Sequence, residues 1–356
     1  MSDASRPEVF ISRVPGETRL AVMQEGLLAD LVIVRDGETS ILGNIYLGRV
    51  EKVLAGLNAA FIDIGQKDSG FLAANDGQIF DRDREKPKPV QALFKEGDAV
   101  VVQVTREAGD GKGAKLTTRL DLAGRAVVVT QGRPGISISK SITEDEERAR
   151  LQSALAEYVH SPSGLIIRTK ATSLSTEALQ IEAELLLDRL SDIEVAQKTM
   201  KPPACLFEDA DLIAKYLKDN GSTHWQCIIV DERAAMTKLS SYAADYMPEL
   251  VSLFELASDP ISLFETHDLD QQIDDLFEPR VTLPSGGGLI IEETAALVAI
   301  DVDSGAHNRD REPEAFAVAV NEEAAVEVAR QLSLRNLAGQ IVIDFLPMKR
   351  KENKEK

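Results

Sequence analysis

The sequence predicts a multidomain α+β protein, and three observations predict it. Short β-type runs, broken by Gly, Asn and Asp, fill the stretch from Ile41 to Leu120. Strand-like and helix-like segments then alternate through the middle of the chain. Near the end, two apolar strands flank one long amphipathic helix, the pattern of a parallel crossover. At roughly 100–200 residues per domain, 356 residues hold two or three domains. An apolar fraction of 44% supplies cores for them despite the high charge.

Taken in order, Glu8–Arg13, Thr18–Gln24 and Leu28–Arg35 read as strands that mix β-branched and polar residues. Ile45–Val53, Ala59–Ile64, Gly70–Ala73, Ala99–Thr105 and Lys115–Leu120 follow, and five short strands in that space suggest a small closed barrel of the OB type. A charged, Pro-containing surface excursion interrupts them between Asp76 and Val90. Val127–Thr130 and Leu165–Thr169 read as strands, and Glu144–Val159 and Ser175–Leu190 as helices, the latter starting at a capping serine. Asp209–Asp219 then reads as a helix, Trp225–Val230 as a strand, Glu232–Ala257 as a helix and Leu263–Leu276 as an acidic, partly helical stretch. The Gly286–Gly288 triplet reads as a turn leading a strand, Gly288–Glu292, which pairs with Ala295–Ile300. A helix from Glu314 to Arg335 carries Phe316, Val320, Ala324, Val328 and Leu332 along one face, with Gly339 as its C-cap and Gln340–Phe345 as the returning strand.

Composition removes several function classes. No run approaches the roughly 18 apolar residues of a membrane span, and Met1–Phe10 has no signal-peptide pattern. Two cysteines, Cys205 and Cys227, make neither a CxxC motif nor a disulfide framework, so a reduced, cytoplasmic protein is expected. A net charge of −19 argues at first against nucleic acid, whose phosphates need local positive charge. From Ser40 to Arg119, however, 12 Lys/Arg meet 11 Asp/Glu, and the remaining chain carries −20. The acidity therefore lies outside the candidate barrel.

Both crossover strands end in a carboxylate, Asp301 and Asp344, and parallel strands bring their C-terminal ends together, where open α/β sheets form sites. Two close carboxylates repel unless a proton or cation lies between them, and a hard ion such as Mg²⁺ suits an all-oxygen pair. The plainer alternative is that one Asp caps the following turn. Asp303 is either a third carboxylate or an exposed turn residue beside Ser304-Gly305. An ATPase reading of these strands requires a GxxxxGK[ST] loop, which the chain lacks. In the β region, Phe61, Phe71 and Lys112 have the chemistry of a single-strand-binding face, although phenylalanines in a barrel are commonly core. His160, His224, His267 and His307 show no metal-binding spacing, and no GxSxG elbow is present.

The runs Gly43-Asn44-Ile45-Tyr46-Leu47-Gly48-Arg49-Val50, Asn58-Ala59-Ala60-Phe61-Ile62-Asp63-Ile64-Gly65 and Gly70-Phe71-Leu72 resemble the S1 RNA-binding domain of the ribonuclease E/G family. Leu283-Pro284-Ser285-Gly286-Gly287, Ala299-Ile300-Asp301-Val302-Asp303-Ser304-Gly305, Ala329-Arg330-Gln331-Leu332 and Ile341-Val342-Ile343-Asp344-Phe345 resemble its catalytic signature, nearly colinear from about Glu8 to Met348. The resemblance implies a Mg²⁺-dependent endoribonuclease that cuts single-stranded RNA to 5′-monophosphate and 3′-hydroxyl ends. Asp301 and Asp344 would hold the metal, with Asp303 beside them; Phe61, Phe71 and Lys112 would grip RNA. Gly124, Val128, Arg168 and Thr169 would form a sensor for a 5′-monophosphate, and an Arg fork, a hydroxyl and a backbone N–H suit that dianion. The implied architecture is an RNase H-like subdomain split between residues 1–39 and 215–280, an S1 barrel at 40–119, a 5′-sensor region at 120–214 and a partial DNase I-like subdomain at 281–356. Three departures stand out: Asp303 replaces the family's usual Asn, Ala295 replaces a frequently acidic residue, and the sequence stops at Lys356, twelve residues after Asp344. A further sensor arginine and the family's zinc-link cysteines are expected to be missing, so zinc-linked dimerisation is not predicted and self-association is left open. The Lys-rich Met348–Lys356 segment reads as a disordered end. A non-catalytic RNA-binding remnant is the alternative reading.

Overall fold

The computed structural model describes residues 6–37, 40–78, 88–109, 112–159, 162–209, 211–258, 261–305 and 313–355. His160 and His307, and most of the excursion after Asp76, lie outside them. The chain forms two compact units: one from the chain up to Arg35, Thr223–Thr237 and the chain from Leu253 onward, the other from Asp36–Ser222 and Lys238–Ser252.

The first unit contains two sheets. In one, Glu8–Val14, Glu17–Gln24 and Leu27–Arg35 form an antiparallel meander, and Cys227–Val230 and Phe254–Leu256 extend it in parallel from the Glu8–Val14 edge. Phe10, Ala21 and Leu28 bury their side chains on Leu263, Phe264 and Leu269. The other sheet runs in the order Arg280–Thr282, Gly288–Glu293, Val298–Asp303 and Ile341–Asp344, and only its last pair is parallel. The Pro313–Leu334 helix crosses over between those two strands. Phe316, Val320, Ala324 and Val328 bury the expected helical stripe against Val298, Ile300 and Val302. Leu332 packs on the same core from its edge.

In the second unit, Ile45–Leu54, Ala59–Asp63, Gly70–Ala73, Lys115–Thr117 and Ala99–Arg106 close into a five-stranded barrel, because the first strand pairs with the last as well as with the second. Ala204–Phe207 adds an outer strand to Ile45–Leu54. A four-stranded sheet follows, in the order Gly135–Ile138, Ser163–Ile167, Val127–Gln131 and Asp121–Ala123. The Asp145–Leu155 and Thr176–Thr199 helices cover it, the second capped by the Ser175 hydroxyl accepting from the Ala178 N–H.

Some elements differ from expectation for local reasons. The long helix expected over Glu232–Ala257 ends at Tyr246, since Pro248 cannot donate into the ladder, and Phe254–Leu256 is a strand. Leu263–Leu276 is two short helices separated by Asp268, whose φ is +54°. The Pro313–Leu334 helix is closed by Asn336 at φ +52°, and Gly339 turns the chain beyond it. Far from being disordered, the chain after Asp344 is anchored: Asn321 bonds both backbone groups of Leu346, and the Glu314 carboxylate accepts the N–H groups of Lys349 and Arg350. Among the described residues no helix is long and apolar enough to cross a membrane.

Candidate functional site

The acidic site is built by strand register. Asp301 lies directly opposite Asp344 in the parallel pair, so their Cα atoms stand at the sheet spacing of about 4.8 Å. Alternation decides the direction: Val298, Ile300 and Val302 enter the core beneath the helix, which turns Asp301 and Asp303 to the open face. Asp301 and Asp344 are both exposed. Asp344 keeps its place because the next residues are pinned by Asn321 and Glu314. The backbone N–H groups of Arg350 and Lys349 and the Asn353 amide hold the Glu314 carboxyl down at about 2.

Asp303 lies one alternation beyond the end of the parallel pair, and both its oxygens are engaged. One accepts the Gly305 N–H at 2.7 Å, the other the Arg280 guanidinium at 2.7 Å. Gly288 is the residue paired with Asp303 and also with Thr282, and a Cβ there would lie 3.2 Å from the Arg280 nitrogen and 3.4 Å from the Asp303 carboxylate. Its bare backbone is what lets Arg280 reach across a strand. The Asp303 turn is also packed backbone against backbone on the Pro284–Gly287 loop, for Gly305, at φ +62°, would place a Cβ 1.9 Å from the Gly286 carbonyl. Glu323 accepts the Ser285 N–H at 2.9 Å and ties that loop to the helix.

Two exposed carboxylates at the end of the parallel ladder fit a hard dication that keeps most of its waters, and two such charges unpartnered would repel. Among the described residues no group of three His, Cys, Asp or Glu side chains forms a ready metal cluster. Asp303 engages its own turn through Arg280 and Gly305.

On the barrel, Phe61 pairs with Phe71 across the antiparallel register, ring centroids 5.9 Å apart and planes at 72°. Their neighbours Ile62 and Leu72 are fully buried, so the half-buried rings belong to the outer face. Lys52 lies opposite Phe61 and Lys115 opposite Phe71, making a row of cation, ring, ring and cation. Lys115 also pairs with Asp76 at 3.0 Å. Lys112 is exposed in the preceding loop, held by reciprocal backbone bonds with Gly109 of 3.0 and 2.9 Å.

Gly124, Val128, Arg168 and Thr169 gather at one end of the strands of the four-stranded sheet. The Arg168 N–H donates to the Ala126 carbonyl at 2.7 Å, which sets Arg168 beside the Gly124–Val128 segment. One guanidinium nitrogen donates to the Gly124 carbonyl at 3.1 Å and to the Asp219 carboxylate at 2.9 Å. The Thr169 hydroxyl is exposed, 3.2 Å from that of Ser139. Val128 is half-buried, second in its strand and opposite Ile166, and the Gly124 N–H is taken by the Val127 carbonyl. Beneath them, Glu182 accepts the N–H groups of Arg125 and Ala126; burial raises its pKa, and those bonds partly offset the shift. Lys218 is buried, donates to the Ala123 carbonyl at 2.6 Å and has its pKa lowered by burial.

Sequence reasoning missed Lys52, Lys115, Arg280, Asn321 and Asp219. Only register or tertiary packing reveals them, although the charge of Lys52 and Lys115 within alternating strands was a usable signal. A cavity of about 470 Å³ lined by Phe207, Tyr242 and Tyr246 contains none of the expected site residues.

Sequences of known proteins match the chain along most of its length. The sequence model of the Ribonuclease E/G family matches residues 121–356. Ribonuclease G of Salmonella typhimurium is 33% identical over 98% of this chain and 73% of its own. Ribonuclease G of Haemophilus influenzae is 34% identical over 98% of this chain and 72% of its own. Ribonuclease E of Synechocystis sp. is 34% identical over 92% of this chain and 49% of its own.

Proposed function

Because the chain belongs to the ribonuclease E/G family, we propose that it is a Mg²⁺-dependent endoribonuclease of RNA processing or decay, cutting single-stranded RNA to 5′-monophosphate and 3′-hydroxyl ends. The observation that carries this reading is the in-register pair Asp301 and Asp344 on an open face. When bound, a Mg²⁺ ion held by these carboxylates supplies a water of lowered pKa and charge neutralisation at the scissile phosphate. The chain's own residues set the geometry. Asp301 and Asp344 are held in register at the end of the parallel ladder, and Asp303 fixes the turn that follows through Gly305 and Arg280. Phe61 and Phe71 offer stacking surface to unpaired bases, with Lys52, Lys112 and Lys115 near the strand's phosphates.

In the same reading, Arg168 and Thr169, beside Gly124 and Val128, bind a 5′-terminal monophosphate. Residues 1–39 with 215–280 are the RNase H-like part, 40–119 the S1 barrel, 120–214 the sensor region and 281–356 the DNase I-like part.

Asp301→Asn and Asp344→Asn should each abolish Mg²⁺-dependent cleavage of a single-stranded oligoribonucleotide while leaving filter binding of that oligonucleotide intact. Undiminished cutting by either variant overturns the assignment. The alternative reading, RNA binding without cleavage, would be established by binding with no cleavage by the unaltered chain.

A further inference from the structure

Asp219 is out of place by local rules. It occupies the last turn of the Leu212–Asn220 helix, where the macrodipole disfavours an acid. Its carboxylate is instead matched to Arg168, at 2.9 Å, and its backbone carbonyl accepts the Lys170 ammonium. Its two cationic partners, Arg168 and Lys170, belong to the segments assigned to the 5′ sensor; the Lys170 pKa is lowered by burial and by Arg125 and Arg168, and Asp219 opposes that shift. Arg125 has its own carboxylate partners, Glu249 and, at its backbone N–H, Glu182, whereas Asp219 is the carboxylate on the guanidinium nitrogen of Arg168 that also holds the Gly124 carbonyl.

We propose that Asp219 is the sensor's internal counter-anion: it holds Arg168 while no 5′ end is bound, and a 5′-terminal monophosphate displaces it. This rests on the reading of Arg168 and Thr169 as a phosphate sensor. The exposures of the two partners, 42% and 45%, suit a reversible latch. Exposed pairs are weak, whereas a dianion with several oxygens can engage Arg168, Thr169 and Lys170 together. The carboxylate keeps the fork ordered beside Gly124, and it also competes with every incoming phosphate. The sensor is thus set to ignore singly charged backbone phosphates and to respond to a terminal one, which carries more charge and more acceptor oxygens.

The experiment compares binding of one labelled oligoribonucleotide bearing either a 5′-monophosphate or a 5′-hydroxyl, by fluorescence anisotropy with EDTA so that no cleavage occurs. The unaltered full chain should prefer the 5′-monophosphate, and Arg168→Ala should lose the preference. Asp219→Asn should raise the ratio of 5′-monophosphate to 5′-hydroxyl affinity by up to about fivefold, the size expected for removing an exposed competing pair. Asp219→Glu, which keeps the charge, should restore a ratio near that of the unaltered chain. Relief of the helix dipole conflict predicts that Asp219→Asn folds at least as well, which thermal melting checks. An unchanged or lowered ratio in Asp219→Asn, with Arg168→Ala still losing preference, overturns the proposal and leaves the sensor standing. Equal strengthening toward both RNAs means a diffuse charge effect and likewise overturns it. Indifference of both the unaltered chain and Arg168→Ala to the 5′ group overturns the sensor reading, and the proposal with it.

Discussion

A single residue's orientation decides how the barrel face works. Phe61 and Phe71 alternate with fully buried Ile62 and Leu72, so their rings can be recruited by a ligand at little cost to the core. Replacing Phe61 by Leu should weaken single-stranded RNA binding by about 1–3 kcal/mol if a base stacks there. The melting temperature should change little by comparison, which separates lost stacking from unfolding; anisotropy titration and calorimetry measure the two. The outward placement could not be settled from the sequence, because a phenylalanine in a five-residue strand suits either face. Asp301 and Asp344 were legible for the opposite reason. A charged residue closing an apolar run has only one comfortable direction.

Elements explain which parts of the site were readable in advance. The crossover was clear because its helix repeats apolar residues every fourth position and both flanking strands are almost wholly aliphatic. What sequence could not show is how the chain after Asp344 is fastened, since Asn321 and Glu314 lie a full helix away. Asn321→Ala removes two bonds to the Leu346 backbone and should cost about 1–3 kcal/mol of stability. It should also reduce cleavage more than RNA binding, because it loosens Asp344 and not the barrel. Glu314 makes the same anchor pH-dependent. Its folded pKa, about 2, is depressed below the ordinary 4.5, so its stabilisation is present above 4.5 and lost as pH falls from there toward 2. Hydrogen exchange of the Lys349 and Arg350 amides should accelerate, relative to the intrinsic rate, across that window. Glu314→Gln should remove the pH dependence.

At the scale of the whole molecule, charge distribution reconciles a −19 chain with an RNA partner, since residues 40–119 are nearly neutral and the surplus acid lies elsewhere. With Lys52, Lys112 and Lys115 as the cations of the barrel face, few counterions are released on binding. The logarithm of affinity for single-stranded RNA should fall against the logarithm of salt with a slope of only about −2. A slope several times steeper would mean that cations elsewhere dominate binding. The separation of Asp301 from Asp344 along the chain has a further consequence, one of timing. During synthesis the barrel strands are complete once Thr117 has emerged, whereas the acidic pair needs the whole crossover through Asp344. On the proposed reading, a growing chain thus acquires the barrel face long before it owns both carboxylates, so binding is available to it before cleavage.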